Sequence, residues 1–263
     1  MASSRPRIVT IPLSPFNELA RWSLEHAGIA YDEEPHAIPF HVIASRRAGG
    51  KGTTPVLVAD DEVVGESAEI AEWADRNRLS GEPLFPEDQA GAEARILMYR
   101  YVDELGPAAR RIIWQHLVDD PKMAARYWGQ RVGPRERRLM PLPLRLKGPT
   151  RRALKLDREH LEQAPILIHS VFDEVAERLA DGGRIVGDRM TGADIAFASM
   201  CVPAVCPDEG HPKARMPQPD EFPDDVAATI RELRAHPAGE YALRMFREER
   251  HGEAPPPSAG LGE

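Results

Sequence analysis

The stretch Thr53-Thr54-Pro55-Val56-Leu57-Val58-Ala59-Asp60-Asp61-Glu62-Val63-Val64-Gly65-Glu66-Ser67 decides the fold. Val56 to Ala59 and Glu62 to Val64 are short β-forming runs on either side of Asp60-Asp61, a two-residue link suited to a β-turn, so the spacing predicts a hairpin. Ser67 then starts and caps a helix containing Ile70 and Trp73. Just upstream, the glycine-rich Gly49-Gly50-Lys51-Gly52 reads as a loop, preceded by a short or irregular helix from Phe40 to Ala48.

Toward the N-terminus, Arg7 to Ile11 is a β-branched run that ends at Pro12. Ser14-Pro15 then opens an apolar-periodic segment through Leu19, Trp22, Leu24 and Ala27 to Gly28. Ser14 suits a helix N-cap, Pro15 its first turn with φ already fixed, and Gly28 the left-handed residue past its end. Ile29 to Glu33 reads as a second strand, so residues 5–79 give the order βαβ then ββα.

Toward the C-terminus, Leu79 to Ala90 collects Ser, Gly and Pro between periodic segments, and a linker is expected over residues 80–90. Residues 91–250 then read as all-helical. The periodic stretches are 91–128, broken at Gly106-Pro107, 157–181, bent or ended by Pro165, 191–202 and 223–250. Thr191-Gly192-Ala193-Asp194 has the pattern of a capping box, with Met190 and Ile195 placed for a hydrophobic staple. An Arg- and Pro-rich insertion at 129–155 is expected to be a solvated interhelical loop, the alternative being an anion-binding surface. Residues 251–263 hold too little apolar surface to offset the entropy of ordering, so a disordered tail is expected.

Composition narrows the function classes. Two domains suit a chain of 263 residues, and 42% hydrophobic with 29% charged residues is a globular composition. With a net charge of −8 there is no global basic field to hold nucleic acid. No stretch approaches the roughly 18 apolar residues of a membrane span, and the N-terminal residues lack the apolar core of a secretory signal, so a cytoplasmic protein is expected. Cys201 and Cys206 cannot make a disulfide framework; Cys201 reads as a packing residue, and Cys206 with His211 falls far short of a zinc site, so no metal is expected.

The layout and its motifs resemble the cytosolic glutathione transferases of the serine type: an α/β thioredoxin-like N-terminal domain followed by an all-helical one. Four motifs carry the resemblance: Ser14-Pro15-Phe16 with Arg21 and Trp22, Thr53-Thr54-Pro55-Val56-Leu57, Gly65-Glu66-Ser67, and Thr191 to Asp194 behind Arg184 to Asp188. The resemblance implies that Ser14 activates the thiol of glutathione. It further implies a cis Pro55, with the backbone of Thr54 pairing with the cysteinyl part, and Glu66 and Ser67 holding the γ-glutamyl end. The basic residue for the glycyl carboxylate falls on Lys51, Arg47 or neither. A homodimer is implied as well.

The chemistry gives Ser14 a task. A thiol attacks electrophiles as its thiolate, yet a free cysteine thiol with a pKa of about 8.5 is mostly protonated at neutral pH. A hydroxyl donating to sulfur at a helix N-terminus stabilises the anion alone. The alternative for Ser14 is an ordinary N-cap worth about 1 kcal/mol. Tyr99, Tyr101, Trp114, Tyr127 and Trp128 either line an electrophile pocket or belong to the core. The leading expectation is an enzyme that transfers glutathione, or another small thiol, to an apolar electrophile. The alternatives are a non-catalytic interaction or ligand-carrying protein, and a thiol-dependent isomerase, dehalogenase or peroxidase.

Overall fold

In a computed structural model, which describes residues 5–208 and 214–250, four strands form one small mixed sheet. They are β1 (Arg7–Thr10), β2 (Asp32–Pro35), β3 (Val56–Ala59) and β4 (Glu62–Val64), in the spatial order β2-β1-β3-β4. β1 runs parallel to β2 and antiparallel to β3, and β3 runs antiparallel to β4. Three helices accompany the sheet: α1 (Pro15–His26), α2 (His41–Arg47) and α3 (Ser67–Arg76).

The inner strands are apolar at their paired centres, Ile8-Val9 in β1 and Val56-Leu57 in β3, because both faces of the sheet are covered there. Ile8 lies opposite Leu57 in the register, and both pack with Leu24, Ile70 and Trp73 beneath α1 and α3. The next pair, Val9 and Val56, points the other way and packs with Ala48 at the end of α2. The expected hairpin stands at its expected residues, and the Thr54-Pro55 bond is cis. The Ile38-Pro39 bond is cis too, which the sequence did not signal.

β2 corrects the expected Ile29 to Glu33 strand. It is an edge strand paired only with β1, so it needs no apolar run and tolerates Pro35 at its end. Ile29 and Tyr31 are buried, but in the turn before it.

The rest of the described chain is helical. After α4 (Gln89–Arg100), a π-helical turn (Tyr101–Leu105) leads straight into α5 (Gly106–Leu117), so Gly106-Pro107 does not break the rod: the wider π-helical turn stands directly before Pro107, where the regular N–H ladder is interrupted. α6 (Pro121–Trp128) follows. The insertion is not a loop but three short helices, α7 (Pro134–Leu139), α8 (Pro141–Leu144) and α9 (Lys147–Ala153). Pro134 and Pro141 occupy first turns, so prolines that suggest a loop instead start helices here. α10 (Arg158–Gly182) continues through Pro165, which therefore does not end it.

α11 (Gly192–Val205), α12 (Asp224–Ala235) and α13 (Pro237–Glu248) complete the described elements. Every residue of α11 is buried, which makes it the axis of the helical region. The expected capping box is present, and its carboxylate does more than cap: Asp194 accepts from the N–H of Thr191 (2.7 Å), the N–H of Ile185 (3.0 Å) and the hydroxyl of Tyr241 (2.5 Å).

The two regions share one core and one ionic network. Trp22 of α1 meets Phe246 of α13 at 5.2 Å between ring centroids. Arg21 donates to Glu33 at 2.7 Å and to Glu18 at 3.3 Å, and Arg250 donates to Glu18 at 2.6 Å and to Glu25. The side chains of Arg21 and Glu18 are 0% exposed and that of Arg250 is 1% exposed, so these charges are matched away from water. Among the described residues no helix is long and apolar enough to cross a membrane.

Candidate functional site

A cavity of about 520 Å³ lies where the start of α1 faces α5, α6 and the insertion. Ser14 is on its wall with Ile11, Gly52 and Thr53. Ser14 is the N-cap of α1 by backbone geometry (φ −132°, ψ 126°), and its carbonyl accepts from the N–H of Glu18 at 2.9 Å. Its hydroxyl makes no capping hydrogen bond, so the ordinary side-chain cap is not formed. Asn17, fully buried, donates to the carbonyl of Ile11 (3.2 Å) and to Oγ1 of Thr54 (3.3 Å), which ties the start of α1 to the cis-proline turn.

The other expected residues stand apart from this cavity. Glu66, not Ser67, is the N-cap of α3; Ser67 is the first helical residue and is buried, which corrects the reading of Ser67 as the cap. The Glu66 carboxyl is raised above its ordinary value by partial burial and by the negative fields of Glu69 and Asp103, with Lys51 opposing. Lys51 is thus within electrostatic range of Glu66, on the loop before Thr53. Neither Glu66, Ser67 nor Lys51 borders the cavity, and Pro55 is buried behind Thr54. Arg47 lines a different hollow of about 240 Å³, together with Arg7, Glu34, His36 and Glu136.

The helical side of the cavity is apolar. Ile113 and Trp114 of α5 and Trp128 of α6 form one wall, the two indoles packed edge-to-face at 5.1 Å. The other expected aromatics are elsewhere: Tyr101 packs on Phe197 in the core, Tyr127 donates to Glu221, and Tyr99 is on the surface. The insertion closes the cavity with Leu144, Leu146 and Ala153. It is anchored to the first region by Glu136, whose carboxylate accepts from the N–H of Ala37 (2.8 Å) and meets Nδ1 of His36 (2.8 Å).

Two polar cavity residues escaped the sequence reading. His41 lies on the wall at the start of α2; burial, and then the field of His36, push its pKa down to about 4, so its imidazole is neutral above that pH, and its Nδ1 is buried with no hydrogen-bond partner. Arg110 projects from α5, one turn before Trp114, with its guanidinium over the ring of Phe16 at 5.7 Å. The only sequence signal for either is position: Arg110 and Trp114 are four apart on a helix and so share a face.

Neither cysteine belongs to the site. Burial pushes the Cys201 thiol well up and that of Cys206 up to about 12, the nearby Arg234 opposing, so neither is a thiolate at neutral pH. His211 and the expected tail at 251–263 lie outside the described residues, and among the described residues no group of three or more His, Cys, Asp or Glu is placed to hold a metal.

Residues 13–77 match the family model of the glutathione S-transferase N-terminal domain. No curated protein matches the sequence. Among solved structures, the chain is similar to glutathione transferase GSTFuA3 from Phanerochaete chrysosporium (17% identity, 93% of this chain and 97% of that chain, TM-score 0.60). It is also similar to the beta-etherase LigF from Sphingobium sp. strain SYK-6 (19% identity, 91% and 99%, TM-score 0.56). A third likeness is to glutathione transferase Omega 3C from Trametes versicolor (15% identity, 95% and 88%, TM-score 0.57). At these identities the likeness is one of fold.

Proposed function

The chain has the glutathione transferase fold, with a matched glutathione S-transferase N-terminal domain, and from that premise we propose that it is a thiol transferase. Its first region binds glutathione or a closely related small thiol, and its helical region holds an apolar electrophile in the cavity beside Ser14. The observation that carries this reading is the position of Ser14. It sits at the start of α1, on the wall of a cavity whose far side is Trp114 and Trp128, with a hydroxyl that is not used for capping.

Ser14 donates a hydrogen bond to the sulfur, and the α1 N-terminus favours the anion through its free N–H groups and dipole. The thiol proton leaves to solvent, the sulfur lone pair forms the new S–C bond, and the leaving group departs with its bonding pair. Thr54, held by Asn17 beside the cis Pro55, pairs through its backbone with the cysteinyl part of the thiol. Glu66 and Ser67, at the N-terminus of α3, take the γ-glutamyl end, with Lys51 beside them for a carboxylate. By likeness to the family the active form is a cytoplasmic homodimer.

Titration calorimetry with glutathione tests the reading. Heat of binding at up to millimolar affinity, weakened by Ser67→Ala, supports it, and no heat and no thermal shift with any small thiol sinks it.

A further inference from the structure

The cavity contains one cation that the transfer of a thiol to an apolar electrophile does not require, that of Arg110. It stands among apolar groups, Ile113, Trp114 and Leu144 around the cavity and the Phe16 ring beneath it. Its Nε is buried without a hydrogen-bond partner, and among the described residues it has no salt-bridge partner. Burial first and the like charge of Arg111 second lower its pKa to about 10, which still leaves it protonated at neutral pH.

The fully buried guanidinium of Arg21, by contrast, is matched by the carboxylates of Glu18 and Glu33. A desolvated cation without an anion is costly, and an incoming oxyanion on the ligand relieves that cost. The planar guanidinium fits a carboxylate through two parallel N–H donors. The residues suited to the charged ends of the thiol, Lys51 for a carboxylate and Glu66 with Ser67 for the γ-glutamyl end, do not border the cavity, whereas Arg110 shares a helix face with Trp114 on the electrophile side.

We infer that Arg110 is a specificity-determining residue that receives a carboxylate on the electrophile, so that the second substrate is an aromatic-sized, otherwise apolar electrophile bearing one carboxylate. This rests on the transferase reading above and deepens it. With 4-chloro-3-nitrobenzoate as probe, the thiolate sulfur adds to the carbon bearing chlorine. The C–Cl bond then breaks, chloride leaves with the electron pair, and the thiol proton goes to solvent. The carboxylate takes no part in bonding and serves recognition alone.

The experiment compares this probe with its uncharged methyl ester, each rate referred to its own uncatalysed reaction with glutathione, in the intact protein and in Arg110→Gln and Arg110→Lys. A charge-assisted contact predicts a preference for the carboxylate of about 10-fold or more. Arg110→Gln abolishes that preference through KM, Arg110→Lys restores part of it, and the ester is affected far less. Equal use of both probes by the intact protein overturns the inference. So does an equal loss on both in Arg110→Gln with weakened glutathione affinity, which assigns Arg110 to the thiol. If nothing turns over, the transferase reading fails and this inference is judged separately by calorimetry. Binding of 4-chloro-3-nitrobenzoate that is lost in Arg110→Gln upholds carboxylate recognition, and binding that is absent or indifferent to the change ends it.

Discussion

Two arginines, Arg21 fully buried and Arg110 half-buried, meet opposite surroundings. Arg21, under α1, is enclosed by Glu18 and Glu33, and Arg250 completes the same network from the far end of the described chain. Arg110, one helix wall away from Ser14, faces indoles and leucines. The difference separates a charge that the fold has already answered from one left for a ligand. A matched buried pair holds regions together and does little else; an unmatched one lowers stability and is retained where something binds.

The comparison breaks most visibly at Glu18. Its replacement by Ala leaves Arg21 with Glu33 alone and Arg250 with Glu25 alone in the core, and urea unfolding should record a loss of about 3 kcal/mol. Arg110→Met should leave stability within about 1 kcal/mol of the parent or raise it. A larger loss for Arg110→Met than for Glu18→Ala reverses the argument.

Ser14→Ala sharpens the functional half. The rate constant kcat/KM with a reactive electrophile should fall about 10- to 100-fold, the worth of one hydrogen bond to a charged group. Stability should move by less than about 0.5 kcal/mol, because the hydroxyl caps nothing. Asp120 supplies the ruler: it accepts from the N–H groups of Lys122 (3.1 Å) and Met123 (2.9 Å), so Asp120→Ala should cost about 1 kcal/mol.

Glu136→Gln tests whether the insertion is held as a cavity wall. Loss of the charged bonds to Ala37 and His36 should cost about 1 kcal/mol. Amide exchange over residues 134–153 should speed up while α11 keeps its protection. Exchange equal to that of the parent dismisses the anchor.

The last effect is confined to acid. His41 is depressed to about 4 from an unfolded value of about 6.5, so the unfolded chain binds more protons between those values, and this group withdraws stability as the pH falls from 6.5 toward 4. Melting temperatures of His41→Asn should therefore decline less steeply over that window. A parallel decline removes His41 from the acid response.

What the sequence made legible was local. The hairpin, the Ser14-Pro15 helix start and the capping box at Thr191 each depend on residues within a few positions of one another, while the cis Pro55 comes from the family resemblance. What it concealed depends on the far side of the molecule. Ile29 and Tyr31 look like strand because they are buried, but the ladder belongs to the acidic Asp32–Pro35, positioned by β1. The prolines of the insertion read as loop until each is seen in the first turn of a helix. Arg110-Arg111 belongs to no motif in the sequence, and only Phe16 and the opposing walls reveal Arg110 as part of a cavity. Ser14, Thr54, Glu66 and Ser67 are candidates by motif and Lys51 is one of the alternatives for a basic residue, whereas His41 and Arg110 required three dimensions.

Arg250 also has a meaning in time. A ribosome makes Glu18 and Glu25 more than 220 residues before the guanidinium that answers them, the separations being 232 and 225. While the chain is being synthesised, the first helix has its acids in place and a cation missing, so its docked arrangement closes only when residue 250 has been added. Fragments that stop short of that residue inherit the same imbalance, and the N-terminal region is thereby a poor candidate for expression as a free-standing module.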